Sequence, residues 1–347
     1  MQANTPVNST KTTRSNGVQI RPLVYLLAAA FIVVALIYGV WSTGQAPATV
    51  LRVFATRFLG IFIEAVPFLL LGTLTSGLIE AFIRPDDIVR FLPRNRVVAT
   101  VGGAFLGIVF PVCECGVVPV TRRLFTKGLP MSVGIAFLLA APFMNPIVFA
   151  STYIAFGFGE IFIGRFVITA IVAISVALIF AIAAKPSEVL HTASMMDGGV
   201  GAFPKPRPNL QMGMAQSLTI AADEFFEMGR FLIIGCLMAA AMQTFVPQDT
   251  LLAVGSGPLT SVLVMQALAF ILSICSTVDS FLALAFTGTF TTGAILAFLS
   301  FGPMVDVKST MMFMGVFKRR TVMYLILLPF LMNLFIGVLI NVNGGFF

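Results

Sequence analysis

Long apolar runs alternate with short polar, mostly basic segments along nearly the whole chain. The runs fall at 23–41, 58–83, 97–120, 130–158, 161–184, 218–245, 251–286, 291–317 and 323–340. Each is long enough to cross a hydrocarbon core of roughly 30 Å as a helix, which takes about 20 residues. The pattern predicts an all-α polytopic membrane protein. Two kinds of interruption modify it. Pro111 to Pro119 places Cys113, Glu114, Cys115 and Gly116 at the end of one run, and Pro142 to Pro146 and Gly302-Pro303 cut two others. Broken backbone and a carboxylate at membrane depth are tolerated only against protein or a watery cavity, so these breaks are expected to line a site.

Composition agrees: 58% of the 347 residues are hydrophobic and 10% charged, and mean hydropathy is +1.01, against about 25% charged in a soluble globule. The net charge of +7 sits in short clusters between apolar runs, which fits positive-inside topology better than nucleic-acid binding. Cys113, Cys115, Cys236 and Cys275 all lie in apolar segments and His191 in a polar linker, so neither a secreted disulfide framework nor a His-based zinc site is expected. Residues 1–21 read as a disordered cytoplasmic tail, 22–57 as an uncleaved first transmembrane anchor and loop, 58–184 as a first membrane repeat, 185–216 as a cytoplasmic linker and 217–347 as a second membrane repeat.

The repeat rests on ordered matches. Glu64 and Gly72 fall on Glu227 and Gly235, then Pro85 on Pro247 and Cys113 on Cys275, then Pro142 on Pro303 and Asn145 on Asp306, at offsets of 163, 162 and 161. Charge gives its orientation. If 97–120 and its partner within 251–286 dip in and return, nearly all Lys and Arg residues share one face, leaving Arg52, Arg57 and Arg165 opposite and Arg230 intramembrane. Full crossings would scatter them. The re-entrant arrangement satisfies the positive-inside rule better and makes the halves inverted repeats with broken or re-entrant helices, a recurrent plan of secondary transporters.

Cys113 and Cys115 offer soft sulfur ligands suited to Cu(I), Zn or trivalent arsenic; plain packing of small buried thiols is the competing account. Substrate-binding candidates are Cys113, Glu114, Cys115, Asn145, Pro146, Cys275, Asp279 and Asp306. Glu114, Asp279, Glu64 and Glu227 are candidate coupling groups, because acids at membrane depth that are not ion-paired are suited to proton exchange. Ion pairing competes: Glu227 and Arg230 are three residues apart on one helical face, and Asp306 with Lys308 sits near a helix end where Lys can snorkel. Any metal bound is left unspecified. No catalytic residue or cofactor is called for: GxxxxGK[ST], HExxH and GxSxG patterns do not occur. A metal-ion permease and, less well supported, a membrane thiol oxidoreductase stay open beside a solute exporter.

Cys113-Glu114-Cys115-Gly116-Val117-Val118-Pro119-Val120, Gly128-Leu129-Pro130 and Phe137 through Pro146, with Cys275, Asp279-Ser280 and Gly302-Pro303 in the second half, resemble the bacterial permease family that includes ArsP-type organoarsenical exporters. The resemblance covers roughly residues 55 to 342. It implies an inner-membrane permease that exports trivalent organoarsenicals by a secondary mechanism; the basic tail places the N-terminus in the cytoplasm, and no enzymatic activity is expected. Expected partners are a small-molecule or metalloid substrate, the lipid bilayer and a second copy of the chain in a homo-oligomer, but no nucleic acid.

Overall fold

The computed structural model describes residues 30, 46–84, 93, 95–110, 112–183, 210–245 and 257–344. The expected tail at 1–21, almost all of the 23–41 anchor and most of the 185–216 linker lie outside the described residues. The first half contains α1 (Pro47–Phe82), α2 (Arg96–Val109), α3 (Glu114–Thr126), α4 (Met131–Ala140), α5 (Pro146–Phe156) and α6 (Glu160–Ala183). The second contains α7 (Leu210–Phe245), α8 (Pro258–Leu272), α9 (Asp279–Leu284), α10 (Thr292–Phe301), α11 (Val307–Val316) and α12 (Arg319–Val342).

Among the described residues, four helices are long and apolar enough to span: α1, α6, most of α7 and α12. The others are half-length. Ten residues of α4 or α10 rise about 15 Å, half the hydrocarbon thickness. Local sequence sets the breaks. Pro142 and Pro303 withhold the N–H that a continuing helix needs. The next helices then restart on side-chain caps, Asn145 Oδ1 accepting from Ile147 N at 3.0 Å and Asp306 Oδ1 from Ser309 N at 2.6 Å. Between α8 and α9 the chain turns through Ser273, at φ 48° and ψ 45°.

Close approaches give the helix directions. A Cβ placed on Gly103 would sit 2.7 Å from the Val133 carbonyl oxygen, and one on Gly107 2.6 Å from the Ala141 Cα. Contacts that advance together make α2 and α4 parallel, so α3 between them must return. The 97–120 run is therefore re-entrant, and the hairpin extends further than its apolar core, to Thr126. Ser261 against Thr291 and Ala269 against Gly302 set α8 and α10 parallel in the same way. The 107/141 and 269/302 contacts are equivalent under the repeat, with glycine on opposite members of the pair.

The halves are inverted. Gly77 of α1 packs on Ser217 of α7, and Arg57 of α1 donates to the Gln243 carbonyl at the other end, so these equivalent helices run antiparallel. The ends of α1, α3 and α11 then share a basic face, where Lys127 Nζ reaches the Glu80 carbonyl at 3.0 Å and Phe125 meets the Phe317 ring edge-on. At the opposite face Asn341 receives from Gly293 N and donates to the Pro258 carbonyl.

The two halves are not packed identically. α1 lies along α3, and Gly72 sits against Gly116, whereas α7 lies along α11, with Gly235 against Lys308. Helices α3 and α11 are thereby enclosed. Their counterparts are open: Ile147, Tyr153 and Ile154 of α5 and Phe281 and Leu284 of α9 reach the surface.

Several boundaries differ from the apolar pattern. Residues 47–57, expected as a loop, form the first turns of α1, because Pro47 is suited to a helix start and nothing after it breaks the helix until Phe82. Pro67 is accommodated inside it. Residues 210–216, expected in the linker, belong to α7. Arg165, expected to flank a span on the face opposite the basic loops, is fully buried, since its guanidinium finds partners in the second half.

Candidate functional site

Breaks from both halves meet in the interior, where α3 packs on α11 and α5 packs on α9, two contacts equivalent under the inverted repeat. Their chemistry differs.

At the first crossing, Glu114 opens α3 and Lys308 stands in the first turn of α11. Lys308 Nζ lies 3.1 Å from Glu114 Oε1 and 3.7 Å from Asp306 Oδ2, and donates to the Ser273 carbonyl at 2.9 Å. All three charged side chains are almost completely buried. Lys308 thus does not snorkel: α7 covers it at Gly235, and the turn at Ser273 aims a carbonyl at its ammonium. Ser273 Oγ also accepts from Val307 N at 3.2 Å, fixing the restart of α11.

The cysteines surround this cluster. All four are free and buried. Cys113 ends the extended segment before α3 as its N-cap, and Cys115 follows in the first turn of that helix. Cys115, Cys236 and Cys275 each experience the Lys308 charge, and Cys275 also interacts with Glu114 and Cys113. Thr277 Oγ1 donates to Cys275 Sγ at 3.6 Å. Among the described residues no group of three or more His, Cys, Asp and Glu side chains is arranged to hold a metal ion.

At the second crossing, Arg165 of α6 reaches both α5 and α9. Its Nη2 contacts Asp279 Oδ2 at 2.7 Å, Asp279 Oδ1 at 3.0 Å and the Ser276 carbonyl at 3.1 Å. Its Nη1 donates to Ser280 Oγ at 2.6 Å and Thr152 Oγ1 at 2.9 Å, and its Cζ stands 5.7 Å from the centre of the Phe143 ring. One guanidinium nitrogen thus contacts both carboxylate oxygens while the other serves the hydroxyls, and hydrogen bonds between ionised partners of this kind are among the strong ones. Here Asp279 is occupied by a structural counter-ion.

Of the other sequence candidates, Asn145 caps α5 and Pro146 begins it on an exposed edge. Glu227 does not pair with Arg230 on its own helix: its Oε2 receives Arg122 Nη1 from α3 at 2.7 Å. Arg123 contacts Glu80 and Glu224, and Lys127 contacts Glu80, so α3 is tied at its basic end to α1 and α7. Glu64 is half-buried on α1, interacting electrostatically with Lys308 and Glu114. The equivalence of Glu64 with Glu227 thus covers position but not pairing.

Sequence reasoning named Lys308 only as an ion-pair partner of Asp306 and missed its burial against Glu114, and it passed over Arg165 as a site residue. Lys308 could have been found from its place two residues after a helix-breaking acid, at a depth where an ammonium requires acceptors. Nothing local marked Arg165.

The family model that matches, ArsP_1, is described as a predicted permease and covers residues 50–342. A Bacillus subtilis (strain 168) protein named UPF0718 protein YcgR is 44% identical over 271 residues, 78% of this chain and 90% of that protein. A Streptococcus mutans protein named putative two-component membrane permease complex subunit is 39% identical over 278 residues, 80% of this chain and 91% of that protein. No solved structure matches the chain. Matched over most of its length and folded as a multi-pass bundle around broken helices, the chain belongs to the ArsP_1 family of predicted permeases.

Proposed function

We propose that this permease is a secondary exporter of small thiophilic solutes, such as trivalent organoarsenicals, in the bacterial inner membrane, with its basic face and N-terminus cytoplasmic. The observation that carries the reading is the buried, free Cys113/Cys115 pair at a helix break inside the membrane, with buried Cys275 at the matching break of the other half and the Lys308 cluster beside Glu114. Soft sulfur ligands favour a thiophilic guest over hard cations. A trivalent arsenical dihydroxide exchanging its hydroxyls for both thiols forms two As–S bonds and two waters, and hydrolysis at the other face reverses the step. Glu114 lies between the thiols in sequence and Asn145 and Asp306 cap the neighbouring breaks.

Inverted halves in unequal packing supply a second arrangement for alternating access, and a solute can shift the balance only by binding one arrangement better than the other. The Streptococcus mutans relative's name supports a second subunit as a partner, alongside self-association. The test is accumulation of methylarsenite, with zinc in parallel, in everted vesicles bearing wild type or Cys113→Ser/Cys115→Ser, with and without a proton gradient. Gradient-dependent methylarsenite uptake that the double substitution abolishes is expected. Absence of such uptake by folded wild type would remove the arsenical assignment, and zinc uptake alone would favour a metal-ion permease.

A further inference from the structure

The two crossings differ in charge balance. Arg165 and Asp279 make a neutral pair whose carboxylate oxygens are both bonded. At the other crossing two carboxylates face one ammonium. Lys308 donates to the Ser273 carbonyl and stands 3.1 Å from Glu114 Oε1, with Asp306 Oδ2 at 3.7 Å in ion-pair range but beyond hydrogen-bond reach, and two flanking carboxylates favour the protonated amine. Lys308 is therefore a cation and the cluster carries one excess negative charge. Two oxygens are left over: among the described residues, Glu114 Oε2 and Asp306 Oδ2 are buried without a hydrogen-bond partner. A buried, uncompensated carboxylate is costly, and a buried acceptor left without a donor adds to that cost.

We propose that Glu114 and Asp306 form an exchangeable proton site, in which one proton is held by the pair while Lys308 remains charged. A proton fits better than a metal cation, because two orphan oxygens are too few for the six or more oxygens that hard cations commonly take, and no larger acidic cluster is present among the described residues. The positive ends of α3 and α11 favour the ionised form, so the proton can leave as well as bind. The other groups around the pair are Glu64 of α1, Cys113 and Cys115 beside Glu114, Cys236 of α7, Cys275 before α9, and Asp279, whose own charge is met by Arg165. Of the acids, Glu64 alone is half-exposed, which suits it to pass a proton to the pair. As the coupling ion of the exporter the proton rests on the reading above, whereas its presence in the cluster does not.

Infrared difference spectroscopy of the purified, reconstituted full chain tests the site without any transport substrate, by following the carboxylic-acid C=O stretch through the neutral pH range. Wild type should show one cluster carboxylic acid. Glu114→Gln and Asp306→Asn, each leaving one carboxylate for one ammonium, should both lose it. Lys308→Met should gain a second protonated acid, and Lys308→Met with Glu114→Gln should return to one. Monodisperse elution and unchanged helical circular dichroism identify the folded samples, and the near-isosteric amides provide two independent routes. A band that survives both amides, that disappears in Glu64→Gln instead, or that is displaced by sodium would overturn the proposal. Loss of methylarsenite transport with the band behaving as stated would retire the arsenical reading and leave the proton site standing.

Discussion

Removing the Arg165 guanidinium should destabilise the fold more than its position six residues after the bend at Gly159 suggests. The side chain has no exposed surface and holds Asp279, Ser280, Thr152 and the Ser276 carbonyl. Arg165→Met preserves much of the stem volume but leaves Asp279 charged and dry, a loss of about 3–5 kcal/mol for one member of a buried pair. Asp279→Asn should cost a similar amount, because it strands the guanidinium. The double substitution restores neutrality and should cost much less than the sum, so a double-mutant cycle should return a coupling of at least about 2 kcal/mol. Equilibrium unfolding in mixed micelles titrated with SDS measures all four proteins. Additive losses, or an Arg165→Met protein as stable as wild type, would refute the counter-ion role and return Asp279 to the proton-coupling groups.

Two further outcomes follow from packing and topology. Gly72→Ala would place a Cβ 2.3 Å from the Gly116 Cα, backbone against backbone, and should cost about 1–3 kcal/mol, while Gly60→Ala on the same helix meets nothing within 4 Å and should be neutral or stabilising by up to about 1 kcal/mol; the same unfolding titration decides between them, and equal effects would contradict the α1–α3 seat. Thr126→Cys and Arg320→Cys should react with a membrane-impermeant maleimide from the same side, and Asn343→Cys from the other; Thr126 and Arg320 reacting from opposite sides would rule out the re-entrant α2–α3 hairpin.

Much of the architecture was legible because membrane insertion makes each element declare itself locally. Apolar length marked the spans, Pro142, Pro303 and the caps at Asn145 and Asp306 marked the breaks, and the distribution of Lys and Arg favoured inverted halves over parallel ones. The pairing of charges was not legible. Arg165 and Asp279 are 114 residues apart, and Arg122 and Glu227 105, so their partnerships depend on which helices pack together. The i, i+3 relation of Glu227 and Arg230 is permitted by helix geometry, yet α3 delivers Arg122 to that carboxylate. Lys308 shows the same limit: its sequence neighbours suggested an end near water, whereas coverage by α7 makes it interior.

The depth at which the half-helices stop has an electrical consequence. A charge taken up near the middle of the bilayer has crossed about half of the transmembrane voltage, and a full crossing is worth about 2.3 kcal/mol per elementary charge at 100 mV. Loading the Glu114–Asp306 pair from one face would then be favoured, and from the other opposed, by about 1.1 kcal/mol at that voltage, roughly a sixfold to sevenfold change in occupancy. Such a site reads membrane voltage without a moving helix or a row of arginines, and de-energising the membrane would alter its occupancy even at constant pH on both sides.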